Sequence, residues 1–415
     1  MRQAMTETNW AGSYTYTAQR LHQPDTVSQA QRIVAESSRI RALGSRHSFN
    51  DLADSAGDLI SLAAMPADIH VDAQEQVVQV AAGVRYGDLA AELDRGGWAL
   101  AAMASLPHIA VAGAIGTATH GSGDRVQNLA SAVVGLELIS PDGDLVTLGP
   151  EHPDLAGAAV HLGALGVITT VWLRIEPSYQ VAQYVVNDVP WDHVLTHFDE
   201  ITSAAYSVSL FTRWDTDVVD QVWLKSRTGE VSLPVGVAAP GPQHPIRGVD
   251  PSWATEQAGL AGPWFDRLPH FRLEFTPSAG AEIQAEYLVP RPAAVAAISA
   301  VRDIAPQIAP HLQVCEFRTM AADELWLSMA QGQDTVALHF TFDRVPEAVR
   351  ALLPLLEETL APFDPRPHWG KWFAMGIERL ERLYPRMNDF RELAYRYDPD
   401  GKFHNAFLHR TVLER

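Results

Sequence analysis

The sequence predicts an α+β protein of two domains, and three observations carry that expectation. At 415 residues the chain is too long for one ordinary hydrophobic core. Residues 1–178 alternate helical spacing with short strand-like runs. Across 179–375 the texture changes to longer strands with helices between them, which suggests a sheet covered by helices. Residues 376–415, rich in turn formers around "YDPDGKFHNAFLHR", are expected to close back on the first domain.

The elements follow in order. "TVSQAQRIVAESSRIRALG" has helical spacing and runs into a short apolar strand before Gly44. "QVVQVAAGVRYGDLAAELDRGGWAL" reads as strand, turn and amphipathic helix, stopped by Gly96 and Gly97. "SAVVGLELISPDGDLVTLG" is a hairpin around Pro141, Asp142 and Gly143, and "LGALGVITTVWLRIEP" is a glycine turn into a β-branched strand. In the second domain "YSVSLFTRW", "QVWLKSR", "IQAEYLVP", "QVCEFRTM" and "TVALHFTFD" are strands. "PAAVAAISAVRDIAPQIAP" and "PEAVRALLPLLEETLAPF" are helices. The connection "SLPVGVAAPGPQHPIRGVDPS" is longer than ordinary loops, so it is expected to be packed or functional.

Composition narrows the function. Hydrophobic content of 47% with 20% charged residues is that of a soluble globular protein. A formal net charge of −19 argues against nucleic acid and anionic membranes as partners, since both need a basic face. Cys315 is the only cysteine, which excludes an internal disulfide, a thiolate zinc site and an iron–sulfur cluster. Neither a signal-peptide core nor a run of 18 apolar residues occurs, so a cytoplasmic location is expected. No metal site is expected, because His108 and His120 lack a paired histidine and carboxylate at ligand spacing. His404 and Asn405 are expected to tie the C-terminal segment down.

"IRALGSRHSFND" sets His47 among small and hydroxyl residues. Such a loop histidine is ordinarily just solvated; the alternatives are a metal ligand, a general base or a point of covalent attachment. "SLPHIAVAGAIGTATHGSGD" places Gly113, Gly116, Gly121 and Gly123 among small residues, which lets backbone approach a ligand and its amides form an anion-binding concavity. It matches neither nucleotide fingerprint: Val126 stands where G-x-G-x-x-G needs its third glycine, and a P-loop's terminal Gly-Lys-Ser/Thr is missing.

Period-two alternation places Glu316 and Arg318 on one face of "LQVCEFRTM", and His339 and Thr341 on one face of "TVALHFTFD". Either pair could simply face solvent. Lys371 lies between Trp369 and Trp372 and could snorkel. Burial or a cationic neighbour would draw its titration down from the usual value of about 10.4.

Taken together, "GSRHS", "SLPHIAVAGAIGTATHGSG", "LGALGVIT", "GPWFDRLPHFRLEFTPSAGAE", "RPHWGKWF" and "DPDGKFHNAF" resemble the alditol (xylitol) oxidases of the vanillyl-alcohol oxidase family of FAD-linked oxidases. The resemblance covers nearly the whole chain. It implies a two-domain FAD-binding fold with a mixed-sheet substrate (cap) domain, and a flavin covalently attached through His47. It implies FAD contacts from Ala42, Leu43, Gly44, Ser45, Arg46, Ser48, Ser105, Ala110, Gly113, Ala114, Ile115, Gly116 and Ile168. Polyol contacts would come from Ser105, Glu316, Arg318, Thr341 and Lys371, and catalysis from Lys371, Arg318 and His339. Lys371, or a water it holds, is the expected proton acceptor. Tyr86 is a further candidate near the flavin. The implied reaction is oxidation of a terminal hydroxyl of an alditol such as xylitol or sorbitol to the aldose, with oxygen reduced to hydrogen peroxide. The alternatives are a sugar-lactone or polyol dehydrogenase using another acceptor, and a polyol-binding protein without cofactor. A monomer is expected.

Overall fold

The computed structural model describes residues 7–229, 231–232, 234–274 and 281–413. Helix formation near the N-terminus follows from its sequence. Thr26 caps the helix Val27–Glu36 by accepting the Gln29 amide, and Ala30 and Val34, four apart, turn inward. The strand Ile40–Ala42 comes next and pairs in parallel with Asp58–Ile60, which also pairs with Arg20–His22. That strand delivers the chain into the His47 loop.

Beside it stands an antiparallel sheet in the order Ile69–Asp72, Val77–Ala81, Val167–Arg174, Val133–Ile139, Leu145–Leu148. The last two form the expected hairpin, with Gly143 at a φ of +88° that its turn requires. The helix Tyr86–Arg95 buries Tyr86, Leu89, Ala90 and Leu93 and ends at Gly96.

The second sheet begins at Gln180. Its long strands run in the order Gln180–Pro190, Val218–Ser226, Ser207–Thr212, Leu312–Met320, Thr335–Asp343, Glu282–Pro290. The sequence led to a mixed cap sheet, but each of these pairings is antiparallel. The helical crossover from Pro290 to Leu312 skips one position, and Thr335–Asp343 returns to fill it, antiparallel to both neighbours.

The helices Ala294–Asp303 and Pro346–Leu360 pack on one face of this sheet, where the Tyr287 hydroxyl donates to Glu357 at 2.9 Å. Period two then sends Glu286, Glu316, Arg318, His339 and Thr341 to the other face, toward the first domain. The C-terminal segment returns to that domain. Asn405 donates to the carbonyls of Asp51, Leu52 and Asp54, and Lys402 to those of Val34 and Pro141. Among the described residues, no helix is long and apolar enough to cross a membrane.

Candidate active site

A cavity of about 750 Å³ runs between the domains, inside the range of about 300–1,000 Å³ usual for ligand pockets. One wall is the polar face of the cap sheet, and register decides its chemistry. Glu316, His339 and Glu286 lie directly across from one another on three strands, as do Val314, Thr341 and Gln284 in the adjacent row. A single-residue slip would turn every one of these side chains to the helix-covered face.

Glu286, 1% exposed, is the hub. Its Oε1 accepts from Arg318 Nη2 at 2.6 Å and faces His120 Nε2 at 3.0 Å; its Oε2 faces His339 Nδ1 at 3.0 Å. Burial alone would raise this carboxyl, but Arg318, His339 and His120 outweigh it and hold Glu286 well below the usual carboxylate range. Glu316 is held down against burial in the same way by Arg318 and His270, whose Nε2 lies 2.8 Å from its Oε1. Both carboxylates are therefore ionised, and Arg318 stands between them.

His339 and Lys371 are the groups at this wall whose proton matters most for chemistry. Burial lowers His339 below 6.5, with Glu286 opposing, so its ring is neutral at neutral pH. An ionised Glu286 can only accept, which places the ring proton on Nδ1 and makes Nε2 an acceptor, to which the Thr341 hydroxyl donates at 3.3 Å. Lys371 is pushed down to about 8, first by burial, with Glu286 opposing and Arg318 adding. It donates to Gln284 Oε1 and lies 5.0 Å from the Phe49 ring centroid.

The opposite wall belongs to the first domain. Leu43 and Phe49 donate their amides to Ile60 and Gly370, while the five amides between them have no partner among the described residues. Arg46 sits at a φ of +64°, the left-handed conformation that turns successive amides into a concavity. The His47 ring stacks on Trp10 at 5.3 Å, and its buried Nδ1 has no hydrogen-bond partner among the described residues. Burial, then His108 and Lys371, lower His47 to about 4. Asn50 donates to the carbonyls of Trp369 and Lys371 at 2.8 Å each, which joins the His47 loop to the lysine segment. Ser105 crosses to the cap, its hydroxyl 3.4 Å from Arg318 Nη1.

Comparison with known proteins fits this architecture. An FAD binding domain model matches residues 18–149, and a D-arabinono-1,4-lactone oxidase model matches 281–411. The chain is 47% identical to alditol oxidase of a Streptomyces species, over 98% of this chain and 99% of that protein. The chain belongs to the FAD-linked oxidases, in the branch of alditol oxidase. This FAD-linked oxidase is 26% identical to L-gulono-1,4-lactone dehydrogenase of Mycobacterium tuberculosis, over 97% and 98% of the two chains. Its fold is that of cholesterol oxidase from B. sterolicum, with a TM-score of 0.77 at 15% identity over 98% and 96% of the chains.

FAD is the family's cofactor, and the first-domain wall fits it. The run of unpartnered amides suits a diphosphate. A Cβ built at Gly113 would meet nothing within 4 Å, so that backbone faces open cavity where a larger residue would displace ligand. Ala42, Leu43, Gly44, Ser45, Arg46, His47, Ser48, Ser105, Ala110, Gly113, Ala114, Gly116 and Ile168 all line the cavity. Ile115 does not: its side chain is fully buried in the hydrophobic core, because the helix Val111–Ile115 turns that position inward. Tyr86 is likewise a core residue, and its neighbour Arg85 lines the cavity instead.

Ser105, Glu316, Arg318, His339, Thr341 and Lys371 share the cap end of the cavity. The long connection contributes His244, Ile246 and Val249 to its lining. Sequence reasoning had not reached Glu286, Gln284, His270 or Lys225, and it had considered His120 only as a metal ligand. For Gln284 and Glu286 the signal was present in the alternation of "IQAEYLVP"; for His270 and Lys225 no signal existed.

Proposed function

We propose that this protein oxidises a terminal hydroxyl of linear alditols such as xylitol, with its flavin covalently held by His47 and oxygen as the final acceptor. The observation that carries the reading is the cap wall: two ionised carboxylates, two cations and a neutral histidine converge on a cavity that also receives the His47 loop. A polyol has a hydroxyl on every carbon and little apolar surface, so charged hydrogen bonds are the means to hold it.

When bound, FAD supplies the two-electron acceptor that takes hydride from the substrate carbon and passes the electrons to oxygen, giving hydrogen peroxide. The chain's residues do the rest. Glu316, Thr341 and Ser105 bind successive hydroxyls. Arg318 and Lys371 face the hydroxyl being oxidised, whose proton is held about as tightly as that of water, with a pKa near ~15.7. Their charges stabilise the alkoxide as it forms. His339 Nε2 takes the proton, and Glu286 fixes the tautomer that makes this nitrogen an acceptor. Lys371, expected from the sequence to accept that proton, is instead charged at neutral pH and serves as the clamp.

Attachment at His47 needs an unprotonated ring nitrogen next to the flavin. Burial supports this by keeping the ring neutral, and the unpartnered Nδ1 leaves a nitrogen uncommitted. The test of the function is oxygen consumption and peroxide formation with xylitol, sorbitol, mannitol, glycerol and sugar lactones. Turnover of alditols over lactones is expected. Faster turnover of lactones, or flavin reduction by polyols without peroxide, would overturn it.

A further inference from the structure

We propose that Lys225 and His270 are positioning residues, a buried file of hydrogen bonds that holds Glu316 as an oriented, ionised acceptor for substrate hydroxyls. The proposal rests on the reading of Glu316 as a polyol-binding carboxylate and adds what keeps it so. Neither Lys225 nor His270 takes part in the chemistry described above.

Lys225, on the strand Val218–Ser226, is 1% exposed. Its Nζ lies 2.5 Å from Leu268 O, 3.1 Å from Pro269 O and 3.0 Å from His270 Nδ1. Three acceptors match the three protons of an ammonium, which has no lone pair to offer in return. His270 Nδ1 must then accept, so the ring proton sits on Nε2 and points at Glu316 Oε1, 2.8 Å away. Edge contacts with Phe211 and Trp223, at 5.5 and 5.3 Å between centroids, prevent the ring from swinging aside. His270 is itself 5% exposed and drawn down to about 4, chiefly by burial, so it carries one ring proton and the tautomer matters.

A loop staple alone would not need this arrangement. Among the described residues Lys225 has no carboxylate within ion-pair distance, and burying an ammonium without one is unfavourable. A neutral donor such as glutamine would hold the loop carbonyls without that penalty. What the ammonium adds is direction: together with ionised Glu316, which can only accept, it holds the ring proton of His270 on Nε2. Once Lys225 loses its proton, the amine can accept from Nδ1. The Nε2–H tautomer is then held from the Glu316 side alone, and wherever the proton moves to Nδ1 a bare Nε2 faces Glu316 Oε1.

The groups bearing on Lys225 are few. Glu316 favours its charge and Arg318 opposes it, both from the strand Leu312–Met320; His270 faces it from the loop. Its cross-strand neighbours Gln183 and Ser207 are uncharged. Burial, the largest influence, draws Lys225 down to about 7. The hold on Glu316 is therefore complete below neutrality and relaxes above it.

The experiment is an anaerobic titration of the flavin-loaded enzyme with xylitol at about pH 6 and about pH 9, giving affinity and limiting reduction rate separately. His270→Leu should weaken xylitol binding roughly tenfold or more, the effect of losing a hydrogen bond to a charged group. The limiting rate should change far less. His270→Gln, which can offer an amide proton near the Nε2 position, should recover most of the affinity. Wild-type affinity should fall with rising pH. In Lys225→Met, and in Lys225→Gln, which keeps a donor for the loop carbonyls, the part of that fall owed to Lys225 should vanish. The Lys371 ionisation is common to all these proteins and cancels in the comparison.

Unchanged affinity in His270→Leu alongside weakened binding in Glu316→Gln would overturn the proposal and leave the site reading intact. A wild-type pH dependence retained in both Lys225 variants would overturn it as well. Unchanged affinity in Glu316→Gln would remove the site reading and the proposal together.

Discussion

The two walls of the cavity solve opposite problems. The first-domain wall offers a ligand mainly backbone: amides from Gly44 to Ser48 that have no partner among the described residues, the bare surface of Gly113, and one histidine that does not need to titrate. The cap wall does so with side chains, nearly all buried and nearly all charged or able to become so. A cofactor that stays can be gripped by fixed dipoles. A substrate that must arrive, lose a proton and leave needs groups whose charge is set against one another. The difference teaches where substitutions matter: on the cap wall each side chain holds its neighbour's protonation state, so single changes spread.

Glu286→Gln should separate the walls most sharply. It removes the carboxylate that orients His339 and pairs with Arg318. Flavin reduction should slow by roughly 10²–10⁴-fold, the range for losing a positioned proton acceptor, while bound flavin is unaffected. Rapid-mixing spectroscopy checks this, and an undiminished rate would detach Glu286 from catalysis. Glu316→Gln comes next. Loss of a charged acceptor should weaken polyol binding by about 1.5–3 kcal/mol with folding and colour retained. A substrate dependence equal to wild type would make Glu316 a structural residue only.

On the other wall, His47→Ala should release flavin completely on acid precipitation, where wild type keeps its colour and runs as a fluorescent band in a denaturing gel. Its rate of flavin reduction should drop by less than in Glu286→Gln. Flavin freed from denatured wild type would refute the attachment.

The smallest effect is on stability, and it draws on both walls. Burial lowers His161, on the first-domain side, to about 3, and His270, on the cap side, to about 4. A histidine with a depressed folded value stabilises the fold fully above its unfolded value of about 6.5 and loses that contribution as pH falls through the folded one. The melting temperature should therefore decline below about pH 6.5, and His270→Gln should flatten part of the decline. A melting temperature constant down to pH 4 would show that these rings do not charge on unfolding.

Much of this was legible in the sequence, and the limits have physical reasons. The hairpin around Gly143, the glycine stop after Arg95 and the pairing of Glu316 with Arg318 are local, set by turn chemistry and alternation. The face of Glu286 was equally local, but its meaning was not. A lone carboxylate on a buried strand carries no signature until register sets it opposite His339, 53 residues away. His270 meets Lys225 across 45 residues and Glu316 across 46, through a loop with no periodicity to read. Ile115 shows the converse: a motif marks a whole stretch, while the helix it forms turns one member inward.

The central claim is that Glu286 makes His339 the base and leaves Lys371 as a charged clamp. The rate of anaerobic flavin reduction by saturating xylitol, followed from about pH 5 to pH 9.5, tests it most directly. Protonation of His339 should depress the rate below 6.5, and loss of the Lys371 charge should depress it again above about 8. His339→Asn should erase the acid limb, and Lys371→Met, slower throughout, the alkaline one. A wild-type rate that instead climbs through about pH 8, with the climb absent in Lys371→Met and retained in His339→Asn, would make Lys371 the proton acceptor and contradict the account.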